Sequence, residues 1–220
     1  MKHVFVETTW VVDCAKPTYL REPAARSLAE RAQAGELLLH IPSICFTEAR
    51  NPIKTKYQPR TTAKVLREYL QWATKAGRAS AERIQVVREV LDQYEAEVSK
   101  ELDDLDATLE ALRQQPGLDV FALNDRMLER AVSLSGKNLN LHPFDQAILA
   151  GILARAEELL AAGADDLCFC ELDSDLQPWD KDGRYKQPLK DLYDAARIWV
   201  FRDFAMSSPE DQLGFSKAPR

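Results

Sequence analysis

Four short and largely apolar segments, separated by helix-forming or turn-forming sequence, constrain the fold of this chain more than any other feature. They are residues 2–6, 37–41, 167–170 and 197–201. Runs of this length are too short for buried helices and are typical of strands covered on both faces. Strands that alternate with helices form a parallel sheet between helical layers. The sequence therefore predicts an α/β protein with a three-layer α/β/α fold and a central parallel sheet.

The helices predicted between these strands are marked by their boundary residues. Gly35 ends the first, and Pro143 opens the most strongly periodic one, since proline suits the first helical position and glycine the residue after the end. A short helix that begins at Ser43 should end before Asn51-Pro52. The predicted helices are residues 23–34, 43–50, 119–133, 143–162 and 189–195.

Residues 61–115 have a different character, with one glycine, no proline and many helix formers. A narrow stripe of apolar residues with one stutter runs through this segment, in the pattern of a helix that packs on another helix. Gly77 and Ser80 mark a break, so a coiled-coil-like helical hairpin is predicted. The stripe consists of Ile84, Val87, Leu91, Tyr94, Val98, Leu102, Leu105, Leu109 and Leu112. We therefore predict one domain over 1–205, interrupted by an insertion at about 61–115, and a mobile tail at 206–220.

Charge is unevenly distributed along the chain. The protein carries a formal net charge of −6, yet residues 50–88 contain ten basic and two acidic residues, and residues 89–110 contain nine acidic residues and one lysine. One interpretation is that a basic and an acidic helix pair across the hairpin. The other is that basic side chains ahead of the hairpin hold substrate phosphates. The candidates for that role are Arg50, Lys54, Lys56 and Arg60.

The cysteines and the hydropathy pattern bear on compartment. The sequence lacks a run of roughly 20 apolar residues, the length needed to span a bilayer, so no membrane association is predicted. Its cysteines form no Cys-x-x-Cys pair and no zinc-type spacing with histidine, which favours reduced thiols in a cytoplasmic protein. They are Cys14, Cys45, Cys168 and Cys170.

Acidic residues recur where the predicted strands end. Glu7 follows the first strand, Glu48 lies just beyond the second, and Asp173 with Asp175 follows the third. Asp145 lies in the first turn of a helix, where a carboxylate can also serve only to stabilise the helix. Because the carboxyl ends of parallel strands share one edge, these acids should cluster, and clustered carboxylates repel unless a cation joins them. Oxygen-only ligands select Mg²⁺ or Mn²⁺.

The order of these motifs resembles that of the PIN-domain nucleases. The matching segments are Glu7-Thr8-Thr9, Ile41 to Glu48, Phe144 to Ala150 and Glu171 to Leu176, within residues 1–58 and 118–204. Glu7, Glu48, Asp145 and Asp173 fall on the four acidic positions of the family, and Asp175 on an accessory one. Two positions depart from the pattern: Glu7 stands where Asp is usual, and Thr9 where Asn is usual, as in a PIN-like branch with a Glu-Thr-x motif.

The resemblance implies a Mg²⁺- or Mn²⁺-dependent endoribonuclease that hydrolyses single-stranded RNA with metal-activated water. Glu7, Asp145 and Asp173 would hold the metal, with Asp175 as a further ligand. Glu48 is a catalytic candidate whose role as ligand, second-sphere group or base stays open, as does the choice between one and two metals. The candidate substrate-binding residues are Thr8, Arg50, Lys54, Lys56 and Arg60.

Other functions remain compatible with the same residues. The domain could be an inactive PIN-like module that binds a protein partner or a second copy through its helical insertion. It could also be a structure-specific DNA nuclease. A phosphatase with an aspartyl nucleophile is suggested by Asp173-x-Asp175, although that motif belongs after the first strand, where the chain has Glu7.

Overall fold

The structure, a computed structural model, describes residues 1–137 and 139–207. Five parallel strands form one sheet in the order β3-β2-β1-β4-β5. The strands are β1 (Lys2–Phe5), β2 (Leu37–Pro42), β3 (Leu118–Phe121), β4 (Leu167–Cys170) and β5 (Ile198–Phe201). The α-helices are α1 (Thr8–Ala15), α2 (Pro23–Gln33), α3 (Ile44–Lys56), α4 (Pro59–Lys75), α5 (Ala81–Asp103), α6 (Leu105–Arg113), α7 (Asp125–Ser135), α8 (Pro143–Ala161) and α9 (Gln187–Ala195).

The strand order places helices on both sides of the sheet. The chain moves outward from β1 through β2 to β3, then returns to the other side of β1 for β4 and β5. Since parallel crossovers are right-handed, α1, α2, α3 and α6 lie on one face and α7, α8 and α9 on the other. In agreement, α1 contacts α2, α3 and α6, whereas α7 packs on α8. The predicted three-layer α/β/α fold with a parallel sheet is confirmed.

One strand and one helix are absent from the sequence-based prediction. Residues 118–121 form β3, which pairs with β2, whereas we predicted that the helix there begins at 119. Asp119 interrupts the apolar run, but His40 and Arg155 bind its carboxylate at 2.7 and 2.8 Å, so the charge is accommodated on an edge strand. Helix α1 was also not predicted; Glu7 caps its first turn.

The entry to β3 depends on Gly117. Its φ is +82°, and a Cβ atom there would lie 2.2 Å from the carbonyl oxygen of Ala32 in the last turn of α2, a distance no real side chain tolerates. The edge strand therefore reaches β2 only because this residue has no side chain.

Helix α3 is longer than predicted. It continues through Pro52 to Lys56 instead of ending before Asn51, so Arg50, Lys54 and Lys56 belong to a helix and do not precede one. Proline removes one backbone hydrogen bond within a helix. Buried Ala49 and Ile53 keep this part of the helix on the core despite that loss.

The insertion divides between two hydrophobic clusters. Ile84 and Leu91 pack with residues of α4 in a small separate cluster, as predicted. The rest of the stripe behaves differently: Val87 is exposed, so its predicted packing is wrong, α5 ends at Asp103, and Val98, Leu102 and the leucines of α6 join the core of the domain. The predicted hairpin therefore comprises α4 and the first half of α5, and the part of 61–115 beyond it belongs to the main domain.

Three further predictions concern membrane spans, the cysteines and the tail. Among the described residues, no helix is both long enough and apolar enough to cross a membrane. All four cysteines are free thiols, with Cys14 half-buried and the others buried. Of the predicted tail, residues 208–220 lie outside the described residues.

Candidate active site

The point where the chain reverses its direction across the sheet lies between β1 and β4. In open parallel sheets, the crevice outside the carboxyl ends of the strands at such a point is where ligands bind. Two glutamates that directly extend these strands, Glu7 and Glu171, are buried there, with exposed fractions of 3% and 0%. The register pairs Phe5 with Phe169, so each glutamate lies two residues beyond a paired position.

Glu7 is oriented by the helix that follows it. Both carboxylate oxygens accept the backbone N–H of Thr9 at 2.8 Å, which makes Glu7 the N-cap of α1. Burial raises the pKa of Glu7 to about 8, the hydrogen bonds from Thr9 oppose the rise, and the charges of Asp173 and Glu48 add to it. The backbone of Thr9 thus orients the first acid of the motif.

Glu171 is the site residue that sequence reasoning missed. Its Oε1 accepts the backbone N–H of Asp173 at 2.5 Å, but its buried Oε2 has no hydrogen-bond partner among the described residues. Burial, followed by the charge of Glu7, holds the pKa of Glu171 well above its usual range. Its position directly after an apolar strand, the same as that of Glu7, is the sequence signal that could have identified it.

Asp145 and Glu48 approach this pair from two helices. Asp145 lies in the first turn of α8, half-buried, and burial raises its pKa to about 6, with the charges of Asp173 and Glu48 contributing. Glu48 projects from α3, and its Oε2 accepts the hydroxyl of Thr8. Thr8, predicted to bind substrate, therefore positions Glu48.

Asp173 and Asp175 form the outer part of the site. Oδ1 of Asp173 accepts the backbone N–H of Asp175 at 2.9 Å, which shapes the turn after β4. Asp173 is half-buried, and its charge acts on Glu7, Asp145 and Glu171. Asp175 is exposed and lines a cavity of about 360 Å³ together with Leu139, Asn140, Lys186, Pro188 and Leu189.

The acidic residues predicted to meet, together with Glu171, each lie within electrostatic range of at least one other member, and we name these six the acidic cluster. It consists of Glu7, Glu48, Asp145, Glu171, Asp173 and Asp175. Within the described ranges, none of the six forms an ion pair with Lys or Arg. No three His, Cys, Asp or Glu side chains of residues 1–137 and 139–207 stand arranged to hold a metal ion.

The donor set nevertheless suits a hard divalent cation. A buried carboxylate oxygen without a partner is costly, and Oε2 of Glu171 is such an atom in a residue on which the charges of Glu7, Asp173 and Asp145 act. Oxygen donors from several carboxylates are what Mg²⁺ and Mn²⁺ prefer. In donor type the acidic cluster therefore matches Mg²⁺ or Mn²⁺, while its described side chains are not arranged around a common ion position.

The predicted phosphate-binding residues lie around α3 and the start of α4. Arg50 and Lys54 approach Asp106 of α6 at 2.9 and 4.0 Å, so their charges already have a partner. Lys56 lies over the ring of Tyr57, and Arg60 is exposed in the first turn of α4. Successive helical positions point in different directions, and Arg50, two residues after Glu48, faces away from the acidic cluster.

The raised pKa values predict a pH dependence of stability in metal-free protein. The folded state binds the proton of Glu7 more tightly than the unfolded chain, so stability falls as pH rises from 4.5 to about 8. We expect the melting temperature to drop on the order of 5–10 °C across this window. Calorimetry in EDTA measures the drop, which Glu7→Gln should reduce and exposed Glu129→Gln should not. Equal profiles for the wild type and Glu7→Gln would contradict a charge penalty at Glu7.

Comparison of the chain with protein-family models, with curated proteins and with solved structures finds no match.

Proposed function

We propose that this protein is a metal-dependent endoribonuclease that hydrolyses phosphodiester bonds of single-stranded RNA. The observation that carries the proposal is the acidic cluster itself, in which buried Glu171 keeps a carboxylate oxygen without a partner among the described residues. Charges of one sign gathered at the ligand-binding edge of a parallel sheet favour a cation-assisted reaction over a purely structural role. The choice of single-stranded RNA rests on the resemblance to PIN-like nucleases.

The ligands in this proposal are Glu7, Asp145, Asp173 and Glu171, with Asp175 completing the set at the exposed side. A divalent cation bound there would lower the pKa of a water molecule and neutralise charge that builds on the phosphoryl oxygens. Helix α8, which carries Asp145 in its first turn, would add backbone N–H groups and a partial positive charge if a phosphate bound at its N-terminus.

Glu48 is the candidate proton acceptor. The hydroxyl of Thr8 binds its Oε2 and restrains the side chain, which supports Oε1 as the atom that takes a proton from the attacking water. A general base must hold a fixed position within hydrogen-bond reach of that water, and this bond supplies the restraint. Loss of the Thr8 hydroxyl would then lower the rate without removing any charge from the acidic cluster.

The proposal is tested by incubating the full chain with a single-stranded RNA labelled at its 5′ end, in Mg²⁺, in Mn²⁺ or in EDTA. We expect internal cleavage that requires metal and leaves a duplex RNA of the same sequence intact. Single-stranded and branched DNA of matching sequence serve as parallel substrates. Cleavage of the DNA alone would replace RNA by DNA as the substrate, and cleavage in EDTA would contradict the metal-dependent mechanism.

Salt dependence tests the basic residues. Changing Lys54, Lys56 and Arg60 together to Ala should flatten the salt dependence of RNA binding by about two units of slope if all three contact phosphate, since each contact to a single strand contributes roughly 0.7. Binding to the metal-free protein avoids cleavage during the titration. The control changes Lys75, Arg78 and Arg88, three exposed residues of the hairpin, and should leave the slope unaltered. If the triple variant kept the slope of wild type, Lys54, Lys56 and Arg60 would serve the packing of the insertion and not RNA binding.

A further inference from the structure

The α4–α5 hairpin carries a set of large apolar side chains in full contact with solvent. They are exposed by 42 to 71% in each case, and Trp72 and Tyr69 stand beside each other with ring centroids 5.7 Å apart. We call this set the hairpin face. It consists of Val65, Leu66, Tyr69, Trp72, Val86, Val87 and Val90.

These side chains lie on one side of the hairpin. Tyr69 and Trp72 each precede a buried residue of α4 by one position, and Val90 likewise precedes buried Leu91 of α5. In two antiparallel helices, positions with the same offset from the packed seam project to the same side of the pair. The ion pairs from Arg67 to Asp92 and Glu95 bind the two helices in that antiparallel arrangement.

The core within the hairpin is small. Its buried members are Ala63, Leu70, Ala73, Ile84 and Leu91, of which two are alanines. Two helices joined by so little apolar contact gain little stability from packing, and a second pair of helices is the usual way to complete such a core. A contiguous exposed apolar surface of this kind marks an interaction site.

The charges of the hairpin make the surface complementary to itself. Helix α4 contains four basic residues and one acidic residue, whereas α5 contains seven acidic residues and three basic residues. A two-fold axis parallel to the helices would place α4 of one copy over α5 of the other and bring opposite charges together. An RNA strand fits this face less well, because the seven acidic residues of α5 repel phosphates and five of the seven side chains of the face are aliphatic, which leaves Tyr69 and Trp72 to stack on bases.

We infer that the hairpin is a homodimerisation module, in which the hairpin faces of two copies pack together as a four-helix bundle with α4 over the α5 of the partner. The inference does not depend on the proposed nuclease function, since none of the residues of the acidic cluster belongs to the hairpin. Dimerisation would present two acidic clusters on one particle.

The test is the mass of the full chain by sedimentation velocity at about 1–100 µM, because dimer formation follows mass action. We expect wild type to approach twice 24.9 kDa. Val90→Asp, at a position 61% exposed, should raise the dissociation constant at least about tenfold, because it buries a charge at the centre of the interface. The matched control is Val132→Asp on α7, where the valine is 74% exposed and distant in the fold, and it should leave the mass unchanged.

Circular dichroism of each variant shows whether its helices remain, and Trp72→Glu gives a second disruption on the other helix of the face. A wild-type chain that stays at 24.9 kDa throughout the concentration range would overturn the inference. That result would hold equally if the hairpin face bound a different protein and not a second copy. The inference would also be overturned if Val90→Asp and Trp72→Glu left the dimer as stable as it is in the Val132→Asp control.

Discussion

Asp145→Asn is expected to reduce Mg²⁺- or Mn²⁺-dependent RNA cleavage by at least about a hundredfold. Mutation of a residue that hydrogen-bonds to a metal ligand typically lowers activity about 10–100-fold, and removal of the ligand itself should cost more. The same change should raise the metal-free melting temperature or leave it unaltered. Burial and the charges of Asp173 and Glu48 raise the pKa of Asp145 to about 6, so the neutral amide relieves repulsion at neutral pH. Single-turnover cleavage and calorimetry in EDTA measure the two effects.

Asp125→Asn is the matched control for this prediction. Asp125 also lies in the first turn of a helix, α7, but it is exposed, so the change should affect neither cleavage nor stability appreciably. Glu48→Gln should abolish cleavage in the same way as Asp145→Asn. If Asp145→Asn and Glu48→Gln both lowered metal-free stability markedly, the two acids would be structural and the proposed active site would be wrong.

Glu171→Gln is expected to raise the metal-free melting temperature at neutral pH, on the order of 5–10 °C, while weakening Mn²⁺ binding at least about tenfold. The amide keeps an oxygen that can accept the N–H of Asp173 and removes the charge that burial and Glu7 penalise. Stabilisation accompanied by loss of metal binding is the signature of a ligand held under electrostatic strain.

The measurements are calorimetry in EDTA and titration of Mn²⁺ followed by electron paramagnetic resonance. Glu129→Gln, the same substitution at an exposed position of α7, should change neither quantity. A Glu171→Gln protein that is less stable than wild type and still binds Mn²⁺ normally would show that Glu171 serves the turn after β4 alone.

The sequence predicts the parts of the fold that depend on unbroken local patterns. Residues 2–6 and 167–170 become β1 and β4 because apolar runs of that length require a sheet, and Pro143 opens α8 as expected. Strand β3 escapes such reasoning, since Asp119 is accommodated only by His40 and Arg155, which are distant in sequence. Helix α3 passes through Pro52 because the core holds Ala49 and Ile53 on either side.

The candidate site was predicted to a similar extent. Glu7, Glu48, Asp145 and Asp173 follow strands or open helices, so the topology brings them to one edge of the sheet. Glu171 belongs to the matched segment Glu171 to Leu176 but was not predicted as a site residue, although it follows an apolar strand in the same way as Glu7. The pairing of Arg50 with Asp106 depends likewise on where α6 docks, which the stutter in the apolar stripe does not reveal.

The position of the insertion between β2 and β3 has a consequence for how the chain folds. Partner strands this far apart in sequence pair slowly, because a long loop must close before their contacts form. Helices α4 and α5 make mainly local contacts and can form early, and the leucines of α6 then dock on the core close to the start of β3. Early helix formation would shorten the flexible loop, so the hairpin should accelerate closure of the sheet edge. Mutations that unfold it would then slow refolding more than they speed unfolding.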